Sequence, residues 1–152
     1  MIQRIQTVYL SIGLILMGLI SWLPLGEIVS NGTIYTFSIA GVADELTGKK
    51  IYSGIPLMVM LGIIIIAQLF IINSYKKRVL QMRVASFNII FMLGFVLASW
   101  FFVHSSVKIL GDGAYTFKLA MAFPLVSMIL NFLAIRAIAK DEVLVRSVDR
   151  IR

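Results

Sequence analysis

The feature that most constrains this chain is a series of long stretches without any charged residue. The four longest have 22, 25, 24 and 17 residues. Roughly 20 apolar residues of α-helix, rising about 1.5 Å each, cross a hydrocarbon core about 30 Å thick. The sequence therefore predicts four transmembrane helices, at about residues 5–25, 54–75, 84–105 and 118–139.

The distribution of Lys and Arg predicts the orientation of these spans. Ten of the fourteen fall on the side that would hold both termini and the loop between the second and third spans. The four on the other side are matched by four acidic residues, so that side has no net charge. Cytoplasmic segments carry an excess of Lys and Arg, so we predict that both termini are cytoplasmic. The remaining segments of this single domain, 1–152, are outer loops 26–53 and 106–117, a cytoplasmic loop 76–83 and a cytoplasmic tail 140–152.

Composition limits the functions that such a chain can have. It is 60% hydrophobic and 14% charged, which is typical of a membrane protein and not of a soluble domain. We expect no nucleic-acid partner despite the net charge of +7, because such binding needs a soluble basic face. The sequence has no cysteine for a thiolate nucleophile or ligand, and its single histidine cannot form a metal site. We therefore predict no catalytic, cofactor-binding or metal-binding residues.

Two segments outside the predicted spans nearly repeat each other. Residues 35–40 (YTFSIA) are echoed by residues 115–120 (YTFKLA), and Ser21-Trp22 is echoed by Ser99-Trp100 at a similar offset. This pattern indicates two helical hairpins in the same orientation, produced by gene duplication. Chance coincidence of aromatic and small residues near a membrane surface is the alternative.

The first echo contains strand-favouring residues and lies between turn-like segments at Ser30-Asn31-Gly32 and Gly41. If residues 109–117 are also extended, the two echoes can pair as a small sheet outside the membrane. The aromatic residues of the echoes are candidate partner or lipid contacts: Tyr35, Phe37, Tyr115 and Phe117.

Residues 141–152 carry apolar residues at helical spacing, which predicts an amphipathic helix. Arg146, Arg150 and Arg152 would then face anionic lipid headgroups or an acidic partner. The predicted fold class is thus an all-α polytopic membrane protein. Its four transmembrane helices form two helical hairpins, with a small extracytoplasmic β-hairpin or sheet and an amphipathic cytoplasmic C-terminal helix.

Polar residues within the predicted spans include Gln68, Asn73, Asn88, Ser99, Ser127 and Asn131. The absence of Asp and Glu from the span interiors argues against proton-coupled or carboxylate-based cation transport. Interhelical hydrogen bonds, each about 0.6 to 2 kcal/mol, explain these residues without a ligand. A passive pore assembled from several copies stays open.

Two further features of the sequence are candidates for a functional role. His104, Ser105 and Ser106 bring a base near hydroxyl groups, but adjacent helix residues point in different directions, so an interfacial polar cap is our interpretation. Pro124 lies about six residues into the fourth span, where a proline predicts a kink.

The two ends of the chain resemble a known family. Residues 1–10 (MIQRIQTVYL) and residues 141–152 (DEVLVRSVDRIR) are similar to the ends of an uncharacterised bacterial family of four-helix membrane proteins, domain of unknown function 4293. The resemblance covers the whole chain and implies a bacterial inner-membrane protein. It supplies no catalytic residues.

From these observations we expect a non-enzymatic accessory or scaffold subunit of an envelope membrane complex. Its partners would be the lipid bilayer and other membrane proteins or further copies of itself. The alternative is an oligomeric pore or small-solute transporter, motivated by the repeat and by Pro124. An intramembrane enzyme comes third.

Overall fold

The computed structural model describes residues 2–30, 32–75, 77–111 and 113–149, and it describes side chains from residue 5 to residue 143 within those ranges. In chain order the elements are α1 (Ile2–Leu19), β1 (Gly26–Ser30), β2 (Thr33–Ser38), β3 (Gly41–Asp44), β4 (Lys50–Ser53), α2 (Ile55–Asn73), α3 (Arg78–Leu110), β5 (Ala114–Phe117), a 3₁₀ turn (Leu119–Ala122) and α4 (Phe123–Asp149).

Each of the four α-helices packs against two others. α1 and α3 both contact α2 and α4, and they lie on opposite sides of that pair. Four residues, 74–77, connect α2 to α3 at one end of the helical region. At the same end, Arg78 forms an ion pair of 3.0 Å with Asp141 of α4. We call this the loop end, and the opposite end, where the strands lie, the sheet end.

Three helical segments in the described part of the chain are long and apolar enough to cross a membrane: Ile55–Asn73, Arg78–Leu110 and Leu119–Val143. The prediction of four spans is wrong at the first one, where Ile5–Leu19 is a shorter apolar helix. The whole of α1, Ile2–Leu19, rises about 27 Å, and its apolar segment is the shortest of the four. The uncharged stretch continues beyond it, but those residues form a turn at Ser21-Trp22 and then enter β1.

The prediction of an all-α fold is also wrong, because five strands form an antiparallel sheet in the order β4-β3-β2-β1-β5. The two Tyr-Thr-Phe segments belong to this sheet, but they do not pair with each other. They lie on opposite sides of β1, in the same register: Ile28 is opposite both Tyr35 and Tyr115, and Gly26 is opposite both Phe37 and Phe117.

Glycine is required where β3 begins, just after the β2–β3 turn. Gly41 has a φ of 120°, a conformation that L side chains rarely adopt. A Cβ atom at this position would also collide with the carbonyl oxygen of Tyr52 on β4. The turn and the close approach of β4 therefore both depend on Gly41.

The main apolar core lies where the sheet packs on the helices, and we call it the sheet-side core. Ile28, Phe37 and Val42 of the sheet are at most 1% exposed. The ring of Phe37 stacks on Phe102 of α3, with 5.6 Å between ring centroids. A smaller apolar cluster lies toward the loop end and consists of Leu10, Ile71, Ala85 and Ala134.

Proline positions explain two helix starts. Pro56 lies in the first turn of α2, where a proline is well tolerated. Pro124 is the second residue of α4 and not an interior residue, because residues 119–122 form a 3₁₀ turn. The first N–H groups of a helix have no partner within that helix, so a proline at this position removes no helical hydrogen bond. The premise of the predicted kink is therefore wrong.

Helices also replace much of two predicted cytoplasmic segments. α3 begins at Arg78, so most of the predicted loop 76–83 is helical. α4 continues to Asp149, and the predicted C-terminal helix is thus an extension of α4. The amphipathic character expected of that extension depends on side chains outside the described residues.

Candidate functional site

A layer of uncharged polar groups crosses the middle of the helical region. α2 contributes Gln68, α3 contributes Asn88, and α4 contributes Ser127 and Asn131, all at most 1% exposed. α1 contributes the backbone around Gly13, which lies beside three of these side chains. These five residues, one or two from each helix, are named the polar layer.

Hydrogen bonds in the polar layer connect neighbouring helices. Gln68 Nε2 donates to the carbonyl oxygen of Leu10 at 3.0 Å, which joins α2 to α1. Asn88 Nδ2 donates to Gln68 Oε1 at 2.6 Å, which joins α3 to α2. Ser127 Oγ donates to the carbonyl oxygen of Gly13 at 3.3 Å, which joins α4 to α1. The predicted interhelical bonding is therefore present at Gln68, Asn88 and Ser127.

Gly13 permits this arrangement because it has no side chain. A Cβ atom there would lie 3.2 Å from Gln68 Nε2 and 3.6 Å from Asn131 Nδ2. The sequence reasoning did not select Gly13, because an isolated glycine in an apolar run has many structural explanations. No signal in the sequence distinguishes Gly13 from Gly18 of the same apolar run.

Four further polar atoms are buried in the helical region without a hydrogen-bond partner in the described part of the chain: Gln6 Nε2, Asn88 Oδ1, Asn131 Oδ1 and Ser99 Oγ. Asn131 Nδ2 donates to the carbonyl oxygen of Ser127 in its own helix at 2.9 Å and to the sulfur of Met92 on α3 at 3.9 Å. Amides and aliphatic hydroxyls do not titrate near neutral pH. The polar layer can therefore accept and donate hydrogen bonds, but it cannot act as a proton relay.

The second region of interest is the free edge of the sheet at β5. All four residues of β5 are exposed, and the rings of Tyr115 and Phe117 meet edge to face with centroids 5.4 Å apart. Lys118 follows the strand, and its ammonium group pairs with the carboxylate of Glu27. The side chains of β5 itself are uncharged.

The opposite edge of the sheet differs from β5. β4 begins with Lys50, follows Lys49, and has an irregular register with β3 between Val42 and Ala43. Charged residues and irregular register are common protections of an edge strand against further pairing. β5 has neither in its four residues, so it is the more open of the two edges.

The predicted contact residues are distributed over different environments. Tyr115 and Phe117 lie exposed on β5, whereas Phe37 is fully buried in the sheet-side core. Tyr35 is half-buried, and its hydroxyl accepts a hydrogen bond from Thr33 Oγ1 at 2.9 Å. The side chain of Arg146 and the whole of Arg150 and Arg152 lie outside the described residues.

A third region is an open groove between α1 and the end of α2. It has a volume of about 740 Å³ and continues into a second cavity of about 420 Å³ beside residues 74–77, with Asn73 and Tyr75 lining both. Asn73 makes no interhelical bond through its amide nitrogen, which donates to Leu69 O in its own helix. The sequence did not predict this groove, because it depends on how two helices diverge.

The histidine and serines at the sheet end of α3 have structural roles. The His104 ring stacks on Trp100 with 5.7 Å between centroids, and both side chains are exposed. Ser106 Oγ donates to the carbonyl oxygen of Phe102 at 2.8 Å. In the described part of the chain, no three His, Asp or Glu side chains gather as a metal-binding group.

A hydrogen-bonded turn between β3 and β4 perturbs one carboxylate. The N–H of Leu46 donates to Asp44 Oδ1 at 2.9 Å, and the N–H of Thr47 donates to the same atom at 3.4 Å. These bonds favour the ionised carboxylate and so lower the pKa of Asp44 below its ordinary value. The bond from the Leu46 N–H has the largest effect.

Taken as a class, this is a membrane protein with apolar spanning helices and an antiparallel sheet packed on one end of them. The family model described as "Domain of unknown function (DUF4293)" matches residues 2–151. The chain belongs to this family, which confirms the resemblance seen at its two ends. No curated protein matches the chain.

Proposed function

We propose that this protein is a non-enzymatic accessory or scaffold subunit of an envelope membrane complex. In this proposal the helices anchor the chain, and the sheet binds an extended segment of a partner protein outside the membrane. The observation that carries the proposal is β5, an exposed and uncharged edge strand with two aromatic side chains. Extended peptides add to such edges through backbone hydrogen bonds, while alternate side chains give specificity.

The register of β5 defines which of its groups a partner would use. The N–H of Lys118 donates to the carbonyl oxygen of Leu25 at 2.9 Å. Backbone groups alternate in direction along a strand, so those of Thr116 are directed at β1, where Thr116 pairs with Glu27. The N–H and C=O groups of Tyr115 and Phe117 are then directed at the free edge.

The interior of the helical region supports a structural role. The buried polar side chains of the described residues are all Gln, Asn or Ser, and in the polar layer they link neighbouring helices. A transport path for ions or protons usually contains an ionisable side chain within the membrane. Association with partners through surfaces fits this interior better than conduction through it.

The proposal also includes a location and an orientation. We place the protein in the bacterial inner membrane, with the loop end and both termini in the cytoplasm and the sheet in the periplasm. α1 is shorter than the three spanning helices, but it leads from the loop end, where Thr7 and Tyr75 line the same groove, to the sheet. Ten of the fourteen Lys and Arg residues would then be cytoplasmic, in accord with the positive-inside bias. The equal register of the two Tyr-Thr-Phe strands on β1 supports an origin by duplication of a helical hairpin.

Two substitutions at one position test the role of the β5 edge. Tyr115→Pro removes the outward N–H, which an edge strand tolerates, whereas Tyr115→Ala removes the side chain and keeps the N–H. The assay is crosslinking and affinity purification from native membranes. We expect one dominant unrelated partner, lost with Tyr115→Pro and largely retained with Tyr115→Ala.

Two results would contradict the proposal. If both variants retain the partner equally, the β5 edge is not the contact. If the purified protein is a homo-oligomer that passes solutes in liposomes, the alternative of an oligomeric pore is correct instead.

A further inference from the structure

The groove at the loop end changes character along its length. Its part on α1 is mostly apolar, with Thr7 and Ser11 beside three larger side chains. It faces the surroundings of the helices, since Val8, Ile12 and Ile15 are 52%, 42% and 61% exposed. Its other wall is formed by Ile72 and Asn73 of α2. The α1 residues lie three or four apart, so they form one continuous stripe along the helix.

Toward the loop the groove gains polar and basic groups, beside the apolar Phe70 and Leu80. Beyond Asn73 and Tyr75 it continues into the second cavity, which is lined also by Ser74 and Lys77. Lys77 is exposed and immediately precedes α3, whose first turn contains no acidic residue. The positive end of the α3 dipole therefore adds to the charge of Lys77. The charge of Arg78 is matched by Asp141 at 3.0 Å, so Lys77 is the unmatched cation among the described residues that line this cavity.

The order of these surfaces corresponds to the order of groups in a phospholipid. The apolar stripe extends from Val8 to Ile15, about 10 Å along the helix, which suits the upper part of an acyl chain. Hydroxyl and amide groups of Ser74, Tyr75 and Asn73 follow at the depth of glycerol and ester groups, and Lys77 follows at the depth of a phosphate. Basic pockets between membrane helices commonly bind acidic headgroups.

We propose that this groove binds one molecule of an acidic phospholipid. Its acyl chain lies along Val8, Ile12 and Ile15, and its phosphate lies beside Lys77. The inference is independent of the proposed function, because β5 and the groove lie at opposite ends of the helices.

Native mass spectrometry of the full-length protein in detergent tests this proposal. Phosphatidylglycerol and phosphatidylcholine with identical acyl chains are added separately, and retained lipid is counted. We expect phosphatidylglycerol to be retained about five-fold more, the effect of one near-surface lysine. Lys77→Gln should abolish this preference, whereas Lys49→Gln, at the exposed sheet end, should preserve it. Excess inorganic phosphate should not displace the lipid, because the acyl chain contributes to binding.

A second pair of variants tests the apolar part. Ile12→Trp fills the groove and should lower retention of both lipids, whereas Ile66→Trp, on an exposed face of α2 outside the groove, should not. Equal retention of the two lipids by the unmodified protein would overturn the proposal. So would equal effects of Lys77→Gln and Lys49→Gln, displacement by inorganic phosphate, or unchanged retention in Ile12→Trp. Partner crosslinking through β5 should be unaffected by any of these four substitutions.

Discussion

The sheet-side core and the polar layer hold the same helices together with different side chains. The sheet-side core contains large apolar residues such as Ile28, Phe37 and Phe102. The polar layer, farther along the same helices, contains two asparagines, a glutamine, a serine and a glycine. Both regions are almost completely buried, so burial alone does not explain the difference between them.

The difference follows from the surroundings of each region. The sheet lies at the end of the helices, where apolar side chains can leave water on folding, and each Å² of apolar surface removed contributes about 25 cal/mol. Lipid tails are as apolar as leucine, so helices within a bilayer gain little from apolar contact as such. They associate instead through close packing and interhelical hydrogen bonds. Small residues and amides are therefore expected in the polar layer.

The largest effect should come from the sheet-side core. Phe37→Ala removes a fully buried ring and its contact with Phe102, so we expect the free energy of unfolding to fall by about 3 to 5 kcal/mol. Ile34→Ala, on the same strand but 44% exposed, should cost much less. Unfolding of the purified protein in mixed micelles measures both. Similar losses in the two variants would mean that the sheet does not contribute a buried core.

An intermediate effect is expected from overfilling the polar layer. Gly13→Leu places a side chain against Gln68 and Asn131 and should destabilise the protein by about 1 to 3 kcal/mol. Gly18→Leu is a matched control in the same helix, because a Cβ atom there meets nothing within 4 Å. The same unfolding assay applies. A larger loss from Gly18→Leu would contradict close packing at Gly13.

A smaller effect is expected from the hydrogen bond between Gln68 and Asn88. A double-mutant cycle with Gln68→Leu and Asn88→Leu should give a coupling of about 0.6 kcal/mol, and at most about 1.7 kcal/mol. Asn73→Leu serves as the control, because its amide nitrogen bonds within its own helix. A coupling near zero would show that the amides do not stabilise the helix packing as a pair.

The smallest effect belongs to the rim of the sheet, at the Asp44 turn. The pKa of Asp44 is lower in the folded chain than in the unfolded chain. The ionised carboxylate therefore stabilises the turn fully at any pH above the ordinary pKa of an aspartate. This contribution disappears as the pH falls through the lowered value. The protection of the Leu46 N–H, which is its exchange rate compared with the intrinsic rate at the same pH, should therefore fall at acidic pH. Asp44→Asn should remove that pH dependence, and Glu45→Gln should leave it unchanged.

The sequence predicted the membrane-spanning helices more accurately than the segments between them. The bounds of α2 differ from the expected 54–75 by one or two residues, because charged residues and Pro56 delimit an apolar run. The first span was overestimated because hydropathy does not distinguish an apolar helix from an apolar turn and strand. Gly26–Ser30 is short, and its partners include residues about ninety positions later.

The candidate sites were only partly predictable. Gln68, Asn88 and Ser127 were recognised as interhelical donors because polar groups in a span need partners. The pairing of both Tyr-Thr-Phe strands with β1 was not predicted, because strand order depends on long-range contacts. The groove beside Lys77 depends on the divergence of α1 and α2, which local sequence does not encode.

Site-directed labelling most directly tests the claim that the sheet end and the loop end lie on opposite sides of a membrane. The chain has no cysteine, so Leu46→Cys in the exposed β3–β4 turn and Lys77→Cys at the loop end each provide a single thiol. In intact cells with a permeable outer membrane, a membrane-impermeant maleimide should label the cysteine at 46 and not the one at 77. Permeabilisation of the inner membrane should make both reactive. Labelling of both positions from the same side in intact cells would contradict the account.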